Sequence, residues 1–404
     1  MRDDTAAEVT VAPAFMLLFS IRLTKPFTGF GMPPAGIVPL PPEQQRAYLD
    51  QFVDFEGRLL GETFLETHRI TRWPLGRVPL TGAADGEPPY ADVGLLMHKS
   101  GVALWEAWLP ASEQAFDVTR WIAWLDPDAE DGLIAHLWQT LGPINREITG
   151  SVTWSGLYFP VALLRAPHHP LDAIVSRHGT DLVRLLFLDH SPWRLRAEVV
   201  QEELAGNYCA REGGMTLLAR RCAVDVHAHE RLIDEKSVPG LPPRAALPLI
   251  ITMEMLLIEH STLQQIYQRL SGRGPGSVEE LLALKQQVLD ALEEYYGAIT
   301  TATRFSEAVT AEGERLFGIV DLYEALTSRL DAVSFEITTR YQKRMTTLQF
   351  WLTIVFGATE IGFVASGIAT WYYRLELSLV LAWTVGTTIV AALILASLLR
   401  GKLD

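Results

Sequence analysis

The chain predicts an α+β cytoplasmic domain, then long helical arms and a stalk, then a two-helix transmembrane hairpin. Three observations carry this. Strand and helix signals alternate up to about residue 240, long helical runs follow Pro239-Gly240, and two apolar runs, Leu348 to Ala369 and Leu377 to Leu399, lie near the carboxyl end. The expected divisions are 1–240, 241–345 and 346–404, with spans at about 348–369 and 377–399. Each run has the roughly 20 apolar residues that a helix needs to cross a bilayer.

In the first division, Phe15 to Leu23 has the composition of a strand, and Glu43 to Leu60 follows Pro41-Pro42 as a helix. Val93 to Leu109 reads as a hairpin turning at Ser100-Gly101. Asp128 to Leu141 is expected to be helical, and Thr153 to Arg165 and Leu182 to Leu188 to be strands. A second hairpin is expected over Asn207 to Val226, with Gly213-Gly214 at its turn. There is no internal repeat and no low-complexity segment.

In the second division Arg244 to Leu270 is a helical run, and Ser271 to Gly276 is a breaker-rich turn. Ser277 then opens another helix, with Glu280 placed to complete a capping box. The glycines of that turn are not followed by Lys-Ser/Thr, which argues for a helix–helix turn over a phosphate-cradling loop. Between Gly318 and Gly357 there is neither Gly nor Pro, so one helix is expected to run unbroken into the first span. Along it Leu316, Ile319, Tyr323, Leu326, Leu330, Val333 and Ile337 recur at steps of three and four, a seam that packs either on its own domain or across a symmetry axis.

Orientation follows from charge. Arg340, Lys343 and Arg344 precede the first span and Arg400 and Lys402 follow the second, which predicts a multi-pass protein of the cell membrane with both termini cytoplasmic. Trp371, Tyr372 and Tyr373 fit the opposite interface. From Tyr341 onward five basic residues face three acidic ones, so the net charge of −14 leaves −16 on residues 1–340. That excess argues against nucleic acid as a partner and would concentrate cations near a membrane mouth. The two cysteines, Cys209 and Cys222, fit a reducing compartment, and Asp3, Asp4 and Pro13 speak against a secretory signal.

The first span carries a polar stripe: Thr346, Gln349, Thr353, Gly357, Glu360, Val364 and Gly367 share one face and are the expected pore lining. Glu360 sharpens this. A charge at the bilayer centre costs about 2.5–3.5 kcal/mol on the insertion scale, against about 0.3–0.6 returned by each Leu, Ile, Val or Phe. Ten such residues in this span return about 3–6 kcal/mol, so it inserts, but with its carboxylate best turned to an axis or a polar partner. In a symmetric homo-oligomer Glu360 becomes a ring of carboxylates that favours cations, and it is the candidate metal-contacting residue. The alternative is a neutral Glu hydrogen-bonded between helices.

The order of these parts resembles the CorA-type magnesium channels and their zinc-transporting relatives: a cytoplasmic α/β domain, helical arms, a long helix continuing into the first of two spans, a very short outer loop and a short basic tail. Phe363-Val364-Ala365 and Gly367-Ile368 are similar to the apolar approach to that family's Gly-Met-Asn signature, where this chain has Ala369-Thr370-Trp371-Tyr372 without the Met or the Asn. The resemblance implies a homopentamer with a pore along the first span, a divalent cation such as magnesium as the transported ion, and no resident cofactor. Only the polar stripe carries over residue by residue.

In the soluble part, Asp225-Val226-His227-Ala228-His229 puts two imidazoles on one strand face near Cys222. His227 and His229 are therefore metal candidates, against polar strand histidines satisfied by ordinary hydrogen bonds. No hydrolase, zinc-protease or dinucleotide motif is present, and an enzyme is not expected. The leading expectation is a cation-conducting oligomer in the membrane. The alternatives are a ligand-sensing effector that permeabilises the bilayer and a membrane-tethered scaffold.

Overall fold

The computed structural model describes residues 9–24, 34–60, 70–80, 88–129, 132–154, 156–191, 193–228, 241–272, 279–286, 288, 303–372 and 377–400. It forms two compact units: Met1–Gly272 with Ala283–Thr327, and Arg273–Leu282 with Ser328–Asp404.

The first unit is built on an eight-stranded sheet among the described residues: β1 (Thr10–Arg22), β2 (Ile70–Pro79), β3 (Tyr90–His98), β4 (Val102–Pro110), β5 (Gln114–Ala115), β6 (Tyr158–Arg165), β7 (Gly214–Leu218) and β8 (Ala223–His227). The order is β2-β3-β4-β1-β6-β8-β7, with β5 pairing the start of β1. All pairings are antiparallel except β6 with β8. Strand β1 is central and buried on both faces: Phe15, Leu17, Phe19 and Ile21 enter one core, Met16 and Leu18 the other, as a period of two requires.

Helices cover both faces. Against the Phe15 side lie α2 (Val118–Leu125), α3 (Leu133–Thr149) and α4 (Leu171–Phe187), through Trp121, Leu137, Leu141, Ile174 and Leu182; the short α5 (Ala197–Ala205) follows α4. Against the Met16 side lie α1 (Pro42–Leu60), α6 (Leu247–Gly272) and α7 (Arg304–Phe317), through Phe52, Leu256, Leu263 and Val309. Gly313 of α7 permits a close approach to α6, since a Cβ there would sit 2.3 Å from Leu256 Cδ1. Helix α6 was expected to open an arm at residue 241; it is instead a core element of the first unit, buried on nearly every side.

Several expectations change. The Leu182 to Leu188 run is the last two turns of α4, not a strand, and ends with Leu188 in the left-handed region (φ 48°). The second hairpin exists, but its turn lies where Ala219 N–H donates to Cys222 O; Gly213, at φ 80°, lies in the turn that leads into β7. The helix expected from Asp128 starts at Leu133 and runs to Thr149 through Pro143. Ser277 lies outside the described residues, which show helix over 279–286.

In the second unit, α8 (Ile319–Tyr372), which begins in the first, supplies the residues from Ser328 onward, and α9 (Leu377–Arg400) completes it. Helix α8 is unbroken, as the lack of Gly and Pro after Gly318 predicts. Of its seam, Ile319, Leu326, Leu330 and Val333 are already buried within the single chain.

Candidate functional site

Three described helices are long and apolar enough to cross a membrane, Arg244–Gly272, Ile319–Tyr372 and Leu377–Ser397. Burial separates them. The most apolar stretch of the first is 83% buried inside the fold, against 22% and 6% for the others. The first is apolar because it is a core helix. The other two present their apolar side chains outward, among them Trp351, Phe356, Phe363, Leu381 and Leu393.

Within the hairpin the two helices meet through small residues. A Cβ on Gly362 would lie 2.1 Å from Thr388 Oγ1, and one on Gly357 would lie 3.1 Å from Leu395 Cδ1. Ile354, Ala358, Ala369 and Ala391 are buried along the same line. Small residues let backbones approach closely where there is no hydrophobic drive between helices.

The expected pore-lining stripe lies on the other side of α8. Thr346, Gln349, Thr353 and Glu360 are exposed, Val364 is 64% exposed, and a Cβ on Gly367 would meet nothing within 4 Å. Gly357 is the exception and sits at the edge of the α9 contact. At about 100° per residue the stripe centres about 140° from the Ile354–Ala358–Gly362 line. The threonine hydroxyls donate to carbonyls one turn back, Thr346 to Gln342 at 2.9 Å and Thr353 to Gln349 at 2.8 Å, which leaves oxygen lone pairs facing outward. Glu360 has no hydrogen-bond or ion-pair partner among the described residues. Before the span Arg340 pairs with Glu336, so one of the three flanking cations is offset locally.

The first unit holds a charge cluster that sequence reading missed. Arg72 of β2 reaches Glu56 of α1 at 2.6 Å, Glu106 of β4 at 2.6 Å and Glu254 of α6, and lies over the Phe52 ring at 4.0 Å. Tyr48 donates to the other oxygen of Glu106. All these charged side chains are at most 4% exposed. One guanidinium cannot balance three buried carboxylates, so protons must be retained. Burial pushes the Glu254 carboxyl up to about 8, with Arg72 opposing and Glu106 adding to the rise; burial also raises Glu106. The cluster ties α1, β2, β4 and α6 together, and a small cavity beside Tyr48 and Glu106 has room for about one water. Its four charged members are spread from residue 56 to 254, which no local motif reveals.

Glu259, one turn further along α6, is buried beside α7. Burial, and then the charge of Glu314, pushes it up to about 8. Its Oε2 and Thr310 Oγ1 of α7 are both buried without a hydrogen-bond partner.

On β8, His227 Nε2 lies 2.6 Å from Asp225 Oδ2, and Asp225 Oδ1 accepts from Thr216 Oγ1 at 2.7 Å. His229 lies outside the described residues. Among the described residues no group of three or more His, Cys, Asp or Glu is arranged to hold a metal ion. Burial raises the Cys222 thiol beyond its usual range, so it stays protonated and unreactive.

Comparison with known protein families, characterised proteins and solved structures finds no match to this chain.

Proposed function

We propose that this protein is an oligomeric, CorA-like membrane protein that conducts cations along the polar face of α8. The observation that carries the reading is Glu360. It is exposed, has no partner among the described residues, and lies on the face of α8 turned from α9. In a lone hairpin that carboxylate would meet acyl chains, at a cost that takes up much of the span's insertion gain. Symmetric copies meeting on this face would remove the conflict and line an axis with carboxylate and threonine oxygens, the donor set that suits hard cations. The small-residue contact supports the same arrangement, because it leaves α9 on the lipid side. With both termini cytoplasmic, the excess negative charge on residues 1–340 would raise local cation concentration.

The test is flux of sodium and magnesium through vesicles containing the full-length protein, beside its mass in mild detergent. Glu360→Gln and Glu360→Ala are expected to lower flux at least tenfold while leaving the oligomer intact. Equal flux in all three proteins, or a monomer in detergent, would overturn the proposal.

A further inference from the structure

A second site lies at one end of the sheet in the first unit, on the face that carries α6 and α7. Strand parity sets it up. Phe159, Val161 and Leu163 of β6 and Ala223 of β8 enter the core on that face, so Arg165, Asp225 and His227 follow at period two. In the parallel pairing Arg165 is directly opposite His227, so the two side chains leave neighbouring strands, about 4.8 Å apart, on the same face of the sheet. On the other flank Gly214 pairs with His227, and Gly214 N–H donates to Arg211 O, which brings Arg211 to the same end.

The His227 ring is fixed at one nitrogen and unused at the other. Nε2 is held by Asp225, whose second oxygen is itself held by Thr216. Nδ1 is fully buried and has no hydrogen-bond partner. Burial opposes a charged ring, yet Asp225, through its charge and its hydrogen bond, raises the pKa above the ordinary imidazole value, while Arg211 and Arg165 pull it down. With Nε2 held by Asp225, Nδ1 becomes an N–H donor when the ring takes its second proton, and a buried donor left unpaired then costs about 1–3 kcal/mol or more. No carboxylate pairs with Arg165 or Arg211 among the described residues. An N–H donor between two arginines repels a cation and accepts a compact anion.

We propose that His227, Arg165 and Arg211 bind a small oxyanion, a phosphate or phosphate monoester, with Asp225 and Thr216 orienting the imidazole. Nδ1–H would donate to one phosphate oxygen and the two guanidinium groups to the others. This site is independent of conduction through the hairpin.

The experiment is phosphorus NMR of inorganic phosphate titrated with the full-length protein in uncharged detergent, using wild type, Arg165→Gln/Arg211→Gln and His227→Gln. Arg211 is exposed and Arg165 half-buried, and neither is part of the core, so the double variant should keep the wild-type melting midpoint even if His227→Gln does not fold. Line broadening is expected with wild type at millimolar phosphate, weakened at least tenfold in the double variant. A parallel titration with a short-chain phosphatidic acid below its micelle concentration separates a lipid headgroup from a soluble phosphate, and tighter binding of either ligand supports the shared chemistry. Absence of broadening, broadening unchanged in the double variant, or zinc binding that needs His227 but not the arginines would each overturn it.

Discussion

Replacing Glu259 by Gln tests whether the α6–α7 contact holds a proton. The side chain is 1% exposed, faces Glu314 of α7, and has one oxygen without a partner. Its carboxyl titrates at about 8 in the fold, against an ordinary 4.5. Below about pH 4.5 both folded and unfolded chains carry the proton, and the group contributes no pH dependence. As pH rises the unfolded chain releases it while the folded chain keeps it, so stability falls until about pH 8 and then levels. The slope is about 1.4 kcal/mol per pH unit, and the full loss is on the order of 5 kcal/mol. Gln keeps the shape without the proton, so the melting midpoint of Glu259→Gln should gain on wild type steadily from pH 5 to pH 8. At about 2–4 °C per kcal/mol the gap is easily read by thermal scanning of both proteins in one detergent. Glu254 titrates in both proteins and cancels in the difference. A gap that stays constant over this range, or widens toward acid, would refute the protonated contact.

Two further predictions concern packing. Arg72→Met strands three buried carboxylates and should cost at least about 3–5 kcal/mol, whereas adding Glu56→Gln, Glu106→Gln and Glu254→Gln should recover most of the loss; urea unfolding of the single and quadruple variants measures both. Gly362→Ala should destabilise the hairpin by about 1–3 kcal/mol, because its methyl would meet Thr388 Oγ1, and Thr388→Ala should restore it. Additive losses in that pair, read from detergent melting curves, would contradict the close helix contact.

The elements readable from the sequence were those whose side-chain period was unambiguous. Strand β1, the β3–β4 hairpin, α1 and α8 lie close to where pattern puts them. Strand β2 escaped notice because Pro74 and Gly76 interrupt it. It is an edge strand, which tolerates proline, and its register shifts between those two residues, with Gly76 at φ 146° where a Cβ would strike Val38 O at 2.4 Å. The Leu182 to Leu188 run was misread because seven mostly apolar residues fit a buried strand and a helix end equally well. The polar stripe of α8 was legible because one helix carries all of it. The Arg72 cluster and the Arg165–His227 pair were not, because pairing of distant strands creates them.

Helix α6 also bears on how the chain is made. As it leaves the ribosome it offers the insertion machinery a segment long and apolar enough to cross a membrane, some seventy positions ahead of the Leu348 run, with a mean hydropathy of 1.3 against 1.7 and 2.3 for α8 and α9. Its two acidic residues, Glu254 and Glu259, sit well inside that segment, and each adds about 2.5–3.5 kcal/mol against entering the bilayer if it behaves as charged residues do at a helix centre. The two carboxyl groups whose burial favours the protonated form in the folded unit are thus the ones that weigh against lipid when the same segment is still unfolded.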